Sequence, residues 1–191
     1  IGRMVYIHFV PVRTSGGYLL IGHDTSLVEG KFDEYRNLAL FDKVTGLPNL
    51  NSLRQDLQSL FEDKEALSLK NAIVALDIVA FSKINLLLGD KSGQRFLVII
   101  SELVKQTLEG YPASIYNFDS DVFVIYFKDI ENYNWVNRWV TRVLSVFEKP
   151  ITLDKNFIEA DIKLGIFNIE IDKYATINTE VTFDNIMLSL N

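Results

Sequence analysis

The sequence predicts an α/β fold, an α+β sandwich with helices covering a mixed central sheet. Three observations carry this expectation. Ala72–Val79 is an apolar run broken only by Asp77, which reads as a strand buried on both faces. Ala113–Phe118 and Val122–Phe127 are β-rich and joined by Asp119-Ser120-Asp121, which reads as an antiparallel hairpin. Stretches of helical periodicity alternate with these strands, as a layered fold requires.

The chain has 191 residues, with 48% apolar and 23% charged residues, ordinary values for a globular protein. A net charge of −6 argues against a general nucleic-acid binder, which normally carries a basic patch. Cysteine is absent, so disulfides, thiol catalysis and cysteine metal sites are excluded. The longest uninterrupted apolar run, Val122–Phe127, is far short of the roughly 20 residues of a membrane helix, and no signal peptide is visible. This segment is therefore expected to lie in the cytoplasm without membrane contact. The chain opens on Ile1, which suggests a piece of a longer protein.

The elements follow in order. Met4–Val12 and Tyr18–Gly22 flank Gly16-Gly17 and read as a β-hairpin. A lone hairpin is marginal in water, so it needs a larger sheet or a partner. From Ser26, the residues Leu27, Val28, Phe32, Tyr35, Leu38 and Ala39 fall at helical spacing among charged residues. So narrow a stripe suits a connecting or coiled-coil helix. Gly46 and Pro48 interrupt the pattern, and Asn49 can cap the next helix, where Leu50, Leu53, Leu57, Leu60 and Phe61 line one side. A short helix over Phe81–Leu88 ends at Gly89, and a longer one runs from Gly93 to Glu109. Glu131–Glu148 is helical, with Trp135 and Trp139 on its apolar face. Phe157–Ile169 alternates as one strand, with Ile158, Ala160, Ile162, Leu164 and Ile166 on the same side. A last helix begins near Thr182. His8 and His23 both fall in the first hairpin, where a zinc or triad reading finds nothing to pair with them.

Asp42-Lys43-Val44-Thr45-Gly46-Leu47-Pro48-Asn49 resembles the opening motif of GGDEF domains, the diguanylate cyclase family, Asp-x-Leu-Thr-Gly-Leu-Pro-Asn-Arg. It departs only at Val44 and Leu50. Asp77-Ile78-Val79-Ala80-Phe81-Ser82-Lys83-Ile84-Asn85 resembles the family's Asp-x-Asp-x-Phe-Lys-x-Ile-Asn block, and Leu88-Gly89-Asp90 and Gly93 continue it. Asp119-Ser120-Asp121-Val122-Phe123 stands in register with the name motif, and Lys163-Leu164-Gly165 is similar to a late Ser-x-Gly strand. More weakly, residues 1–25 are similar to the end of a PAS sensor domain. The domains expected are thus a PAS-like hairpin (1–25), a signalling helix (26–41) and a GGDEF domain with a palm-like sheet (42–191), its C-terminal end missing.

The resemblance implies condensation of two GTP into cyclic di-GMP, with Mg²⁺ held by two carboxylates. Asp77 and Asp121 match those metal positions, and Asn85 matches a guanine contact. The departures point away from catalysis. Asp119 and Ser120 replace the two glycines, Val122 replaces the acid that activates the nucleophile, Ser82 replaces a phosphate-facing Lys, and Gln94 replaces a guanine-contacting Asp. No catalytic residue is therefore assigned. Gly110-Tyr111-Pro112-Ala113 replaces the family's inhibitory Arg-x-x-Asp site.

The expected function is a catalytically degenerate GGDEF domain, a regulatory or nucleotide-sensing module in cyclic di-GMP signalling within a multidomain protein. Degenerate copies often precede an EAL phosphodiesterase domain. The alternatives are an active diguanylate cyclase with a variant site and a ligand-free dimerisation module. The partners implied are GTP, adjacent domains of a longer chain, and a second copy paired through residues 1–41.

Overall fold

The computed structural model describes residues 7–14, 17–25, 34–169 and 178–190. The chain divides into two compact units, Ile1–Leu40 and Phe41–Asn191.

In the first unit, β1 (Ile7–Thr14) and β2 (Gly17–Asp24) pair antiparallel, from Ile7 opposite Asp24 to Thr14 opposite Gly17. Successive strand residues point to opposite faces, yet Phe9 and Val10 are both exposed, as are Leu20 and Ile21. Neither face of the hairpin is fully covered. Residues 34–40 form helix α1, with Tyr35 and Leu38 exposed. Met4, Leu27, Val28 and Phe32, assigned above to the hairpin and the helix stripe, lie outside the described residues.

The second unit begins with α2 (Leu50–Glu62) and α3 (Lys64–Ser68), followed by β3 (Lys70–Ile78). Next come α4 (Phe81–Leu88) and α5 (Asp90–Thr107), then β4 (Ala113–Asp119) and β5 (Val122–Ile130). The chain continues through α6 (Asn134–Phe147), a small hairpin of β6 (Ile151–Leu153) and β7 (Asn156–Ile158), β8 (Ile162–Ile169) and α7 (Thr179–Ser189). The main sheet has the order β4-β5-β3-β8.

The sheet has a two-sided core because β3 alternates. Ala72, Val74, Leu76 and Ile78 join the core formed with Phe96, Ile100 and Val104 of α5 and Val136, Trp139 and Val143 of α6. Ile73 and Ala75 join the other core, with Leu53, Leu57 and Leu60 of α2 and Phe183 and Ile186 of α7. All six of these β3 residues are buried, which is why their run carries almost no polar residue.

Every described pairing in this sheet is antiparallel, whereas the sequence reading anticipated a mixed sheet. The reason lies in the connection. The crossover through α4 and α5 returns β4 in the direction of β3, but one position away. The hairpin partner β5 then turns back into the gap between them, so no two parallel strands are neighbours.

Three further boundaries differ. The alternating stretch Phe157–Ile169 is two strands, β7 and β8, and Ile166 is exposed because β8 is an edge strand. The helix α5 starts at Asp90, not Gly93, directly after Gly89, whose φ of +81° ends α4. The helix α7 starts earlier than Thr182, because the Asn178 side chain accepts from Val181 N at 3.0 Å.

Two close fits fix the frame around the strand ends. A Cβ on Gly165 of β8 would lie 2.0 Å from Ser189 Oγ and 2.7 Å from the Ser189 carbonyl oxygen, so α7 can lie this close only against glycine. Trp139 is fully buried and donates to Thr107 Oγ1 at 2.8 Å, as expected of a core residue.

Candidate functional site

The first motif is itself a folded loop. Asp42 Oδ1 accepts from Val44 N (3.2 Å), Thr45 N (2.7 Å) and Thr45 Oγ1 (2.7 Å), which makes an Asx turn. Gly46 takes φ +70° and donates to the Asp42 carbonyl at 3.0 Å. Asn49 caps α2 through Asn51 N and Ser52 N. Pro48 O accepts from Asn117 N at 2.9 Å, which ties the loop to β4. Asp42, Thr45, Gly46, Pro48 and Asn49 therefore each have a structural task, and Asp42 is also held at the edge of a cavity.

The cavity measures about 400 Å³. Phe81, Leu97 and Val44 give it apolar walls, and Asn85, Gln94, Asp42, Asp90 and Ser120 give it polar groups. Asn85 of α4 and Gln94 of α5 thus line one cavity. Asn85 Oδ1 is buried without a hydrogen-bond partner. It occupies the room left by the missing side chain of Gly93, where a Cβ would fall 1.5 Å from it.

Asp77 is the penultimate residue of β3, opposite Val122 on β5 and Lys163 on β8. Asp121 lies in the hairpin turn, and its carbonyl accepts from Ile78 N at 3.3 Å. Asp77 is close enough to bear on the Asp121 carboxyl. Burial raises the Asp121 carboxyl above its ordinary value, its own backbone amide opposes this, and the charges of Asp77 and Asp119 raise it further. Among the described residues, no group of three or more acidic or histidine side chains gathers as a ready metal set. Two oxygen donors at one locus still match what Mg²⁺ takes from a protein when phosphates supply the rest.

The turn itself is altered. Ser120 holds φ +20°, at the edge of the region that glycine enters freely. Its hydroxyl donates to Asp119 Oδ1 at 3.2 Å, and its carbonyl accepts from Asn117 Nδ2 at 3.4 Å. Val122 is half-buried and packs with the apolar cluster of α2 and α7. Ser82 and Lys83 are exposed in the first turn of α4. Ala80, just before that helix, takes φ +56°, a strained conformation for a residue with a Cβ.

Asp42, Val44, Asp90 and Leu97 were not assigned to the site from sequence. The signal for Asp42 and Asp90 was present, since both belong to quoted motif blocks. Leu97 carries no signal beyond its place on the apolar face of α5. In the first unit the backbone register sets position 8 opposite position 23. Two positions remain fewer than the three protein ligands usual for zinc.

The family model for the diguanylate cyclase, GGDEF domain matches residues 39–187. The chain belongs to the GGDEF family. Solved structures agree on the fold. The diguanylate cyclase/phosphodiesterase of Caldicellulosiruptor saccharolyticus superposes with a TM-score of 0.68 at 23% identity, covering 82% of this chain and 87% of the other. The coiled coil and GGDEF domain of DgcB from Caulobacter crescentus, in complex with c-di-GMP, gives 0.72 at 14% identity, covering 87% and 86%. By sequence, this GGDEF chain is 25% identical over 131 residues to the cyclic di-GMP phosphodiesterase NbdA of Pseudomonas aeruginosa. It is 26% identical over 133 residues to the uncharacterized protein y4lL of Sinorhizobium fredii. The matched segments cover 69% and 70% of this chain but only 16% of each relative. No helix among the described residues is long and apolar enough to cross a membrane.

Proposed function

We propose that this GGDEF domain is catalytically degenerate and acts as a regulatory module in cyclic di-GMP signalling within a longer protein. The observation that carries this reading is Val122. The position that should activate the nucleophile holds a half-buried hydrocarbon packed against the cluster of α2 and α7. General-base catalysis is typically worth ~10²–10⁴-fold, so its loss alone is severe. Asp119 adds a second obstacle: a like charge 4 Å from a phosphate costs about 4 kcal/mol at an effective dielectric of 20.

Asp77 and Asp121 are the residues that would hold a Mg²⁺. Bound there, the ion would supply charge neutralisation to a nucleotide's phosphates. Their survival as a pair is the feature that favours the alternative, a cyclase with a variant site. The test is incubation with GTP and Mg²⁺, followed by chromatography for cyclic di-GMP; the expected result is unconverted GTP.

The first unit is proposed as the end of a PAS-like sensor followed by a signalling helix, with the domain bounds 1–25, 26–41 and 42–191. Its uncovered apolar residues on both strands and on α1 support pairing with a second copy through residues 1–41. The similarity to NbdA, a cyclic di-GMP phosphodiesterase, supports a phosphodiesterase domain elsewhere in the parent protein, which the family resemblance would make an EAL domain.

A further inference from the structure

We infer that a second cavity, between α2 and the β4–β5 hairpin, binds a small polar α-amino acid as its zwitterion, with the ammonium at Asp56 and the carboxylate at Lys128. This goes beyond the regulatory reading above and does not rest on it.

The first observation is the cavity itself, of about 330 Å³, within the range of small-molecule sites. Asp56 and Ser59 of α2, Ser114 and Tyr116 of β4, and Tyr126 and Lys128 of β5 line it. The sequence spacing brings them together. Asp56 and Ser59 are three residues apart on one helix and so share a side. Ser114 and Tyr116, like Tyr126 and Lys128, are two apart on a strand and so share a face, and the register sets Ser114 opposite Tyr126. Tyr116 and Tyr126 belong to the core on the α2 and α7 side of the sheet. Phe81 and Leu97 of the cavity beside Asn85 belong to the α5 and α6 side. The two cavities therefore lie on opposite faces of the sheet.

The second observation is a fixed acceptor. Tyr116 and Tyr126 are only 3% and 4% exposed and are held from their hydroxyl ends. Tyr116 donates to Asp56 Oδ2, and Tyr126 donates to Asn71 Oδ1 at 3.2 Å. Burial, and then Asp56 itself, push the Tyr116 phenol up, which keeps it a donor. A carboxylate accepts through both oxygens. With one oxygen of Asp56 anchored by the sheet, the other is held in place for an ammonium.

The third observation is opposed charge that does not meet. Lys128 lines the same cavity, and among the described residues it forms no ion pair with Asp56 or with Asp63, the other carboxylate of the lining. A single exposed ion pair is worth little, so a small ligand must use both ends at once. A zwitterion does so through two charge-assisted hydrogen bonds. A plain amine leaves Lys128 unused and meets its like charge, and a plain acid meets two carboxylates. The hydroxyls of Ser59 and Ser114 can each donate or accept, which suits a polar side chain on the ligand.

The test is protein-observed NMR titration of the full chain with serine, threonine, asparagine and glutamine. Each is compared with the amine that lacks its carboxylate and the acid that lacks its amino group. The expected result is saturable shifts at Ser114, Tyr116 and Lys128 with at least one amino acid, and at least about tenfold weaker binding of both its analogues. Asp56→Asn, which keeps an acceptor for Tyr116, should weaken the amino acid about tenfold. Lys128→Met, at an exposed position, should do the same and should erase the preference over the amine. No shift with any of the four amino acids at millimolar concentration overturns the inference. So does an analogue that binds as tightly as its amino acid, a result the ligand series gives without any variant. Binding unchanged in both variants overturns the placement of the site.

Discussion

Asn85 Oδ1 lies where the side chain of residue 93 would begin, 1.5 Å from the position of a Cβ on Gly93. The pairing links α4 to α5 at the wall of the cavity, and it explains why glycine stands four residues after Gly89 in a helix that otherwise gains from any larger residue. Gly93 is helical and buried, so its value is room for the amide, not backbone freedom.

Gly93→Ala should therefore displace the Asn85 side chain. The cost expected for such overpacking is about 1–3 kcal/mol, reduced by any helix-propensity gain of alanine. A urea denaturation midpoint measures it. A variant as stable as the parent, with Asn85 unmoved, would show that the helices separate freely.

Burial and the neighbouring Asp77 and Asp119 raise the folded-state Asp121 carboxyl above its ordinary value of 3.8. The native state thus holds this proton more tightly than the unfolded chain. Stability must fall as pH rises through the window from the ordinary value up to the raised one, and it is recovered on acidification. Asp121→Asn should flatten this part of the profile and be relatively more stable at pH 7 than at pH 4. Thermal melts of both proteins across that range decide it; parallel profiles would mean that neither burial nor its acidic neighbours raise the Asp121 carboxyl.

Much of this architecture was legible in the residues. The run Ala72–Val79 marked the central strand because both faces of β3 are buried, and the hairpin was marked by its short polar turn. The edge strand β8 was harder. Gly165 interrupts its alternation and Ile166 is left exposed, so the pattern ran on through Glu159–Asp161 and merged two strands into one. The absence of parallel neighbours was not readable at all, since strand order depends on where β5 inserts. At the candidate site, Asp77, Asp121 and Asn85 were named only through the resemblance to the family's motif blocks. Leu97 was not, because an apolar wall residue carries the same helical signal as any core residue.

Val122→Glu restores the missing acid in name only. The side chain at this position packs with the cluster of α2 and α7, so the new carboxylate must either enter an apolar core or leave it. Asp119 and Ser82 would still oppose phosphate binding. The expected outcome is no turnover of GTP and reduced stability. A single substitution that restored product would show that these obstacles are weak.

The uncovered face of the first unit predicts association. Tyr35 is 69% and Leu38 is 48% exposed on α1. Sedimentation velocity of the full chain should show a mass that rises with concentration. Tyr35→Glu together with Leu38→Glu should return it to a monomer. A monomer at all concentrations before substitution would refute pairing through residues 1–41.

The central claim is that this GGDEF domain lacks cyclase activity, and direct product analysis tests it best. The purified chain is incubated with GTP and either Mg²⁺ or Mn²⁺, and nucleotides are resolved by chromatography beside a reaction without protein. The account predicts identical traces. Cyclic di-GMP above the protein-free control, abolished by Asp77→Ala, would contradict it.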